Sequence, residues 1–431
     1  METSDIIIMS ILLGCMATYV PVFMCLFFTA LVGFVLFTNL PILLLVQTMF
    51  RSMDNFALVV VLFFILCGNI MTAGSIVKKL IAVANALLSW LPGGLGMAGV
   101  VACGLFGAIS GSTVATVVAL GGFMIPALKS NGYPEKYSIG LMTTSGNLGV
   151  IIPPSIGMIL YSMISNVSLE GLFLTGFLPG IMIMLGVCGY TYLLFYKNTV
   201  IVRMPPPDFK GTLAVLKEGF WSLMLPLIIF GGIFSGAFTA NEAAVVACVY
   251  AFIVELFIHK SMKLKQVKEI AVSSAITSAS LLIIVAGATT FGRLLTLESI
   301  PGRITEAVLA AISSPAAFIF VMNILLLFVG MFMDIISATM ILGPVFLPML
   351  NAFGVDWLHF GLILTVNLAI GYCTPPMGVS LYIAGSIAHR DLIYVSKACL
   401  PFIAIQIAVL LFLSYLPDAV LWLPRVMGFV R

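Results

Sequence analysis

The amino-acid sequence predicts an all-α polytopic membrane protein. Of its 431 residues, 62% are hydrophobic and only 8% are charged, whereas a soluble domain carries about a quarter charged residues. Apolar runs near the ~20 residues that cross a bilayer recur almost end to end, without the alternation of a membrane barrel. These runs cover residues 6–37, 56–71, 172–196, 220–238, 243–258, 271–291, 316–333 and 400–416. Because lipid-facing backbone must satisfy its own hydrogen bonds, helices are the expected spanning elements.

A segment interrupted by glycine and proline occurs twice, roughly 221 residues apart, which predicts two structural repeats. In each copy a lone proline, Pro126 or Pro348, precedes the first proline of a Pro-Pro pair by 27 residues. Duplicated apolar segments broken by glycine and proline mark the binding site of many secondary transporters. Three further positions align between the copies: Gly140, Gly157 and Tyr161 match Gly361, Gly378 and Tyr382.

The charges of two equivalent loops predict that the repeats are inverted. The loop after the first lone proline carries Lys129, Glu135 and Lys136, whereas its counterpart carries Asp356 and His359 and no lysine or arginine. Loops rich in lysine stay on the cytoplasmic side, so these two loops are expected on opposite faces of the membrane. Parallel repeats whose surface charges have drifted are the alternative.

These features divide the chain into five parts. Residues 1–53 supply N-terminal helices, 54–166 a first repeat with a hairpin and a broken helix, and 167–274 a connecting bundle. Residues 275–388 supply the second repeat, again with a hairpin and a broken helix, and 389–431 the C-terminal helices. The formal net charge of +3 is too small and too scattered to indicate a nucleic-acid partner.

Clustered hydroxyls in each repeat predict an interrupted helix or a hairpin tip. The stretch 108–116 reads A-I-S-G-S-T-V-A-T, and its counterpart 330–343 contains Asp334, Ser337 and Thr339. Broken helices free backbone carbonyls, which need partners other than lipid. The Pro-Pro pairs strengthen the prediction, because proline has no N–H and interrupts the hydrogen-bond ladder.

Such breaks suit a small cation and an acidic substrate at once. Na⁺ is a hard cation that prefers several oxygen ligands, which carbonyls, hydroxyls and asparagine side chains provide. Helix N-termini at the same breaks present partial positive charge to an anion. In the plainer interpretation, small residues only permit close helix packing and prolines only kink helices.

Read together, these motifs resemble the large membrane subunit of the tripartite ATP-independent periplasmic (TRAP) transporters, and the resemblance covers nearly the whole chain. The motifs that carry it are L-F-F-I-L-C-G-N-I-M at 62–71, G-A-I-S-G-S at 107–112, N-L-G at 147–149 with I-P-P-S at 152–155, F-T-A-N-E-A-A at 238–244, G-M-F-M-D at 330–334, and N-L-A-I-G at 367–371 with T-P-P-M-G at 374–378.

The resemblance implies an elevator-type carrier, in which a transport domain of two re-entrant hairpins and two broken helices moves against a fixed scaffold. The scaffold would comprise residues 1–53, 167–274 and 389–431. Na⁺ would bind near each hairpin tip. The implied ligands of the first ion are Ser110, Ser112, Asn147, Gly149 and Ile152, and those of the second are Gly330, Gly371, Thr374 and Met377.

The resemblance also implies partners and a location. Family members work with a small membrane subunit of four helices and a soluble periplasmic binding protein that delivers an organic acid, such as sialic acid or a C4-dicarboxylate. The chain would lie in the bacterial inner membrane, surrounded by lipid. Residues that we expect to face the substrate are Thr113, Asp334, Ser337, Thr339 and Asn367. This chain departs from the family pattern at Tyr372-Cys373, where a small polar residue is expected. The resemblance therefore does not fix the ligand set of the second ion.

Among the other polar residues, some are expected to stabilise helix ends and one is expected at the site. Thr239 and Glu242 fit a capping box, and Asp54 is expected to cap a helix start. Asp334, in contrast, is favoured as a site residue over a cap.

Arg293 and Arg303 flank the turn around Pro301 and could meet a carboxylate, but arginines at a helix end more commonly extend their charge to the membrane surface. No catalytic arrangement or phosphate-binding loop stands out, so we expect no enzyme. The alternatives are a stand-alone sodium/dicarboxylate symporter, an ion antiporter of similar architecture, and a membrane enzyme.

Overall fold

The computed structural model describes residues 3–18, 20–38, 40–197 and 208–429, and this part of the chain contains helices and no strand. The first twelve α-helices are α1 (Thr3–Ala17), α2 (Val22–Phe37), α3 (Ile42–Met53), α4 (Ala57–Ala73), α5 (Ile76–Leu88), α6 (Gly94–Ser110), α7 (Thr113–Thr116), α8 (Gly122–Ser130), α9 (Glu135–Ser145), α10 (Leu148–Ile151), α11 (Ile156–Ser165) and α12 (Leu169–Phe195). The remaining ten are α13 (Phe209–Phe234), α14 (Ala240–Ile253), α15 (Leu264–Leu297), α16 (Ile300–Ala311), α17 (Pro315–Gly330), α18 (Ile335–Phe353), α19 (Trp357–Gly371), α20 (Val379–Ala388), α21 (Leu392–Ser414) and α22 (Pro417–Val426). Two π-helical segments, Val117–Gly121 and Val254–Ile258, join α7 to α8 and extend α14.

The described residues contain eight helical stretches long and apolar enough to cross a membrane, or up to ten if two bent helix pairs each count as one span. The predicted all-α polytopic architecture is therefore confirmed. The first apolar run, 6–37, is two helices rather than one, because α2 begins after Pro21, which cannot continue a helix from the preceding turn.

Each repeat contains a helical hairpin followed by a broken helix, as predicted. Hairpin 1 consists of α6 and the α7–α8 arm, and broken helix 1 consists of α9, α10 and α11. Hairpin 2 consists of α17 and α18, and broken helix 2 consists of α19 and α20. Both broken helices end on a residue in the left-handed conformation, Asn166 in the first and His389 in the second.

Contacts at the two ends of the broken helices show that they run antiparallel. Glu135, at the start of α9, forms an ion pair of 2.6 Å with Arg390, just after the end of α20. At the opposite end, Tyr161 of α11 donates a hydrogen bond of 2.9 Å to the carbonyl of Trp357, at the start of α19. The repeats are therefore inverted. Lys129 also pairs with Glu135 at 2.5 Å, which places the lysine-bearing loop at the first of these ends.

The helices pack as two groups. The helices α2, α3 and α4 pack against α15, and α14 packs against α4. The hairpins and broken helices pack on one another, and α12 and α21 pack on them. By chain order, α5 joins α4 to hairpin 1, and α16 joins α15 to hairpin 2. This arrangement leaves an interface between the groups in which a site can lie.

Two predicted helix caps have different outcomes. The capping box at Thr239 and Glu242 is present, with Thr239 N donating to the carboxylate at 2.8 Å. The prediction that Asp54 caps a helix start is wrong, because Asp54 follows the last turn of α3. Its neighbour Asn55 lies closer to the next helix and accepts a hydrogen bond of 2.9 Å from Ala57 N.

Candidate functional site

The tip of hairpin 1 gathers hydroxyl groups around a tight turn. Gly111 ends α6 with a φ of +60°, in the left-handed region that glycine adopts freely. Ser112 caps α7 by accepting a hydrogen bond of 3.4 Å from Ala115 N. Oγ of Ser110 lies 3.4 Å from Oγ1 of Thr116, which donates to the carbonyl of Ser112 at 2.8 Å. Three hydroxyls and a carbonyl therefore lie within one turn.

Broken helix 1 supplies backbone oxygens next to this tip. Pro153 and Pro154 carry no N–H, so the carbonyls of Gly149 and Val150 lack the donor that an unbroken helix provides four residues later. Ile152, between the two halves, is extended, with φ −77° and ψ 127°. All five residues are buried. Buried carbonyls without helical donors are suitable ligands for a dehydrated cation.

The tip and the broken helix cross at two glycines. A methyl group built on Gly149 would lie 2.2 Å from Oγ1 of Thr116 and 2.7 Å from the carbonyl oxygen of Ser112. A methyl group on Gly107 would lie 2.6 Å from the Cα atom of Gly149. Any side chain at either position would separate the hydroxyls of the tip from the freed carbonyls. The structure therefore places the tip that carries Ser110 and Ser112 against Gly149. Ile152 follows three residues later, at the break of the same helix.

The side chain of Asn147 forms hydrogen bonds within the protein. Its Nδ2 donates a hydrogen bond of 2.8 Å to Oε1 of Gln406, and Nε2 of Gln406 donates to the carbonyl of Thr144 at 2.9 Å. Its Oδ1 lies 3.4 Å from Sγ of Cys373, which belongs to the second break. The side chains of Asn147, Gln406 and Cys373 are fully buried. Asn147 thus connects the two breaks, and it can offer a cation little with its side chain.

The second repeat reproduces the glycine crossing. A methyl group built on Gly371 would lie 2.5 Å from the Cα and carbonyl carbon of Gly330. Tyr372, which departs from the family pattern, accepts a hydrogen bond of 2.9 Å at its hydroxyl from Ile335 N. That bond fixes the break of broken helix 2 against the tip of hairpin 2. Gly330 and Gly371 are therefore adjacent, as the implied second ion site requires.

Asp334 caps α18. Its Oδ2 accepts a hydrogen bond of 2.9 Å from Ser337 N, and its backbone is extended as an N-cap requires. The sequence pattern favoured a site residue over a cap at Asp334. The structure shows a cap, because the carboxylate satisfies a free N–H at the helix start. The second carboxylate oxygen still lies at the hairpin tip.

The second break is more open than the first. Thr374 is half-buried and donates a hydrogen bond of 2.9 Å to the carbonyl of Ile370. Pro375 and Pro376 are exposed, and Met377 is 45% exposed, whereas the equivalent prolines of the first break are buried. Thr374 therefore lies close to the crossing of Gly330 with Gly371, because its N–H donates to the carbonyl of Gly371 at 2.9 Å. Met377 lies at the surface.

The remaining substrate candidates are buried side chains on both repeats. Thr113, Ser337, Thr339 and Asn367 are each at most 2% exposed. Their oxygens Oγ1, Oγ, Oγ1 and Oδ1 lack hydrogen-bond partners within the described part of the chain. Nδ2 of Asn367 donates to Oδ1 of Asn323 at 2.7 Å, so this amide faces α17. Buried oxygens without partners are unusual and suit a bound ion or ligand.

A cavity of about 390 Å³ lies beside the first tip, between the two helix groups. This volume is within the range of small-molecule sites, about 300–1,000 Å³. The tips of both hairpins border it, and α4 and α15 form its other wall. The polar residues that line it are Asn69, Thr72, Ser110, Ser112 and Thr277.

Two polar residues that the sequence analysis missed hold this region together. Gln406 is a lone amide in an apolar run, which is itself a signal of a role inside the membrane. Glu255 is fully buried and accepts hydrogen bonds of 2.7 Å from both Ser75 N and Ile76 N, at the elbow between α4 and α5. A carboxylate at a helix N-terminus is stabilised by the free N–H groups there. The same elbow leads into hairpin 1.

The inverted hairpins, the paired breaks and the cavity between two helix groups define a secondary membrane transporter. The sequence pattern of the family described as "Tripartite ATP-independent periplasmic transporter, DctM component" matches residues 9–419. The chain belongs to this family, as the sequence resemblance indicated. Because the curated relatives are permeases, the expectation that the chain is no enzyme is also confirmed.

Two relatives and one solved structure illustrate the similarity. The C4-dicarboxylate TRAP transporter large permease protein of Rhodobacter capsulatus is 35% identical over 439 residues, which cover 99% of this chain and 100% of that protein. The sialic acid TRAP transporter large permease protein of Vibrio cholerae is 32% identical over 413 residues, or 96% of each chain. The YdaH transporter of Alcanivorax borkumensis has a similar fold, with a TM-score of 0.63, 14% identity and coverage of 87% of this chain and 88% of that one.

Proposed function

We propose that this chain is the large membrane subunit of a Na⁺-coupled importer, which carries an organic acid across the bacterial inner membrane. The observation that carries the proposal is the pair of glycine crossings, Gly107 with Gly149 and Gly330 with Gly371, each beside a proline-broken helix. The family description is ATP-independent, so transport needs another source of free energy. An ion gradient coupled through these oxygen-rich breaks would supply it.

Na⁺ fits the residues of the first break better than a transition metal does. The candidate ligands are hydroxyls and carbonyls, which suit hard cations. Among the described residues, no group of three or more His, Cys, Asp or Glu side chains could hold a metal ion. Ser110, Ser112 and the carbonyls near Gly149 and Ile152 would hold one Na⁺. The Gly330 crossing with Thr374 would hold another.

Alternating access would take the form of an elevator movement. In this proposal, the hairpins and broken helices move together with α12 and α21, which pack on them. The group around α15 stays fixed. This assignment differs from the five predicted parts, in which α12 and α21 belonged to the scaffold. Glu255 would anchor the fixed side of the elbow that leads into hairpin 1.

The proposed partners are a small four-helix membrane subunit and a periplasmic binding protein that delivers the acid. The word "tripartite" in the family description supports two further components. The named substrates of the relatives, a C4-dicarboxylate and a sialic acid, support a carboxylate as cargo. Both acids carry a charge that the helix N-termini at the breaks would favour.

Reconstitution tests the three-component proposal. The chain is placed in liposomes alone, and then with its small subunit and binding protein, under an inward Na⁺ gradient. We expect uptake of succinate or N-acetylneuraminate only with all three components and only with Na⁺. Uptake by the chain alone would instead identify a stand-alone symporter, and uptake that K⁺ supports equally would refute sodium coupling.

Substitution at each break tests the ion sites. Loss of one oxygen ligand in Ser110→Ala or Thr374→Ala is expected to raise the Na⁺ concentration for half-maximal uptake by about tenfold, since a hydrogen bond or contact to a charge contributes about 1.5–3 kcal/mol. Ser130→Ala is the matched control, because Ser130 is exposed and bonds only its own helix. Unchanged Na⁺ titrations in both test variants would remove these residues from the site.

A further inference from the structure

A second cavity, of about 590 Å³, lies between α3 and α15 on one side and α11 and α18 on the other. Trp357 and Asn351 line it, which places it at the end of the molecule opposite the ion pair of Glu135 with Arg390. That end lacks the lysine-bearing loop of the first repeat, so by the positive-inside rule it faces the periplasm. We call this space the outer cavity.

Arg293 is the charged residue that lines the outer cavity. Its side chain is exposed, and it forms no ion pair or hydrogen bond with the residues that the structure describes. A guanidinium keeps its charge at any physiological pH and matches the two oxygens of a carboxylate. Among the residues that the structure describes, no carboxylate lines the cavity. The cavity therefore has a fixed cation without a counter-ion in the described part of the chain.

Two amide groups add donors to the same wall. Oδ1 of Asn55 accepts from Ala57 N at 2.9 Å, and Oδ1 of Asn351 accepts from Nε1 of Trp357 at 3.0 Å. Because both partners are N–H donors, each amide is oriented with its oxygen toward them. The NH₂ groups of both asparagines remain available as donors. A guanidinium and two amide donors together form a surface complementary to an anion.

A third cavity lies between the outer cavity and the cavity at hairpin 1. This apolar cavity, of about 320 Å³, shares Asn55 with the outer cavity. It shares Ile156 and Leu281 with the cavity beside Ser110. The three cavities therefore follow one another along the interface between the helix groups. An anion held at Arg293 would lie at the outer end of this series.

We propose that the outer cavity is a carboxylate-binding vestibule, in which Arg293 receives the organic acid before it reaches the hairpin site. This inference rests on the proposed function for the identity of the cargo, although binding itself needs neither Na⁺ nor the partner proteins. Asn55 and Asn351 orient the carboxylate against the guanidinium. Capture by a fixed cation also raises the local concentration of an anionic substrate.

Chemical protection tests the vestibule independently of transport. Phenylglyoxal modifies accessible arginines, and mass spectrometry measures the rate at each position of the purified chain in phosphatidylcholine nanodiscs. We expect succinate or N-acetylneuraminate to slow modification of Arg293 at least fivefold, and the neutral analogue succinamide to have no effect. Arg51 is the matched control, because it is exposed on neighbouring α3 and does not line the cavity.

The outcomes separate the possible ligands. Protection by either acid at Arg293 alone supports the vestibule, even if no uptake is ever reconstituted. Equal protection at Arg51, or none at Arg293 with both acids, overturns it. Protection that requires phosphatidylglycerol in the nanodisc and ignores both acids also overturns it, and assigns the guanidinium to a lipid headgroup.

Uptake kinetics give a second measure in the three-component system. Arg293→Gln is expected to raise the KM for the acid about tenfold or more at saturating binding protein, with Vmax within twofold, whereas Arg293→Lys keeps part of the affinity and Arg51→Gln changes neither. A fall in Vmax at unchanged KM would contradict the vestibule. Absence of Na⁺-dependent uptake in the unmodified protein would instead count against the proposed function, and leaves the protection result to decide the vestibule.

Discussion

The two breaks share a backbone crossing of glycines and differ in how deeply they are buried. At the first break Pro153 and Pro154 are enclosed by protein, and a hydrogen bond of 3.4 Å from Ile156 N to the carbonyl of Gly111 joins them to the hairpin tip. At the second break Pro375 and Pro376 are exposed. The two repeats therefore share the glycine crossing and differ in its surroundings.

This difference suggests a division of labour between the repeats. If the proposed function holds, the first break has its candidate ligands in place, so binding there would need little rearrangement and would lose little affinity to ordering. The second break is exposed on one side, so another element or a ligand would have to cover it. Ion binding at the second break would therefore depend more strongly on the position of the hairpin.

The largest expected effect comes from a methyl group at the buried crossing. In Gly149→Ala the new Cβ meets Thr116 Oγ1 and Ser112 backbone that cannot both move, and overpacking of this kind costs about 1–3 kcal/mol or more. We expect uptake to fall at least tenfold, with a lower thermal midpoint. Gly371→Ala also meets backbone, and comparison of the two variants measures how much the open break can relax.

Gly189→Ala is the control for both glycine variants, because a methyl group on Gly189 in α12 meets nothing within 4 Å. An alanine in a helix interior stabilises the folded state by about 0.5–1 kcal/mol relative to glycine, so this variant should have a slightly higher thermal midpoint. Equal behaviour of Gly149→Ala and Gly189→Ala would show that the crossing carries no structural constraint.

A smaller effect is expected from the buried amides behind each break. Gln406→Leu leaves Asn147 Nδ2 without its acceptor, whereas in Asn323→Leu the Nδ2 group of Asn367 keeps a second acceptor, the carbonyl of Ile363. An unsatisfied buried polar group costs about 1–3 kcal/mol. Both variants should lower the thermal midpoint in detergent. Only Gln406→Leu should also alter the Na⁺ titration of uptake, since Asn147 contacts both breaks. A change in that titration with Asn323→Leu alone would reverse the assignment.

The smallest effect concerns the ends of the broken helices. Hydrogen bonds from Arg390, and then from Lys129, lower the pKa of Glu135 below its usual value. A lowered carboxyl pKa adds stability above the unfolded pKa, and that stability is lost as the pH falls through the folded pKa. Because Arg390 is exposed to water, which screens the pair, Arg390→Gln should destabilise only slightly at pH 7, with the difference vanishing in acid.

The thermal midpoint of Arg390→Gln across pH measures this term, and Tyr161→Phe provides the comparison at the opposite end. Tyr161 donates an uncharged hydrogen bond to Trp357, so its removal should cause a loss that does not depend on pH below 8. A loss in Arg390→Gln that persists unchanged into acid would show that the ion pair is not its cause.

The local pattern of the chain was sufficient to predict the hairpins and the breaks. Glycines, hydroxyls and Pro-Pro pairs affect the backbone of residues only a few positions away, so the helix breaks that they cause can be located from the sequence. The hydrogen bond of Asn147 with Gln406 joins residues 259 positions apart. Nothing in the sequence near either residue indicates that these two amides are paired. The cap at Asp334 was underestimated because an acid in an apolar segment suggests function before it suggests a helix start.

The exposure of the second break and the presence of the outer cavity could not be predicted from the sequence, because both depend on contacts between residues far apart in the chain. The two Pro-Pro pairs are identical in sequence, and only the packing of other elements decides which is covered. Arg293 could be recognised as a cation near the end of an apolar run, but its lack of a partner depends on α3, α11 and α18 together. Inversion was predicted from five ionisable residues in two loops, and contacts at both helix ends confirm it.

Direct binding of Na⁺ to the purified chain tests the central claim, that the paired breaks hold the coupling ions. A ligand that binds only the folded state stabilises it by about 2.7 kcal/mol at one hundred times its Kd. The account predicts that NaCl raises the thermal midpoint above that in KCl at equal ionic strength, and that Ser110→Ala combined with Thr374→Ala abolishes the difference. Identical midpoints of the unmodified protein in the two salts would contradict it.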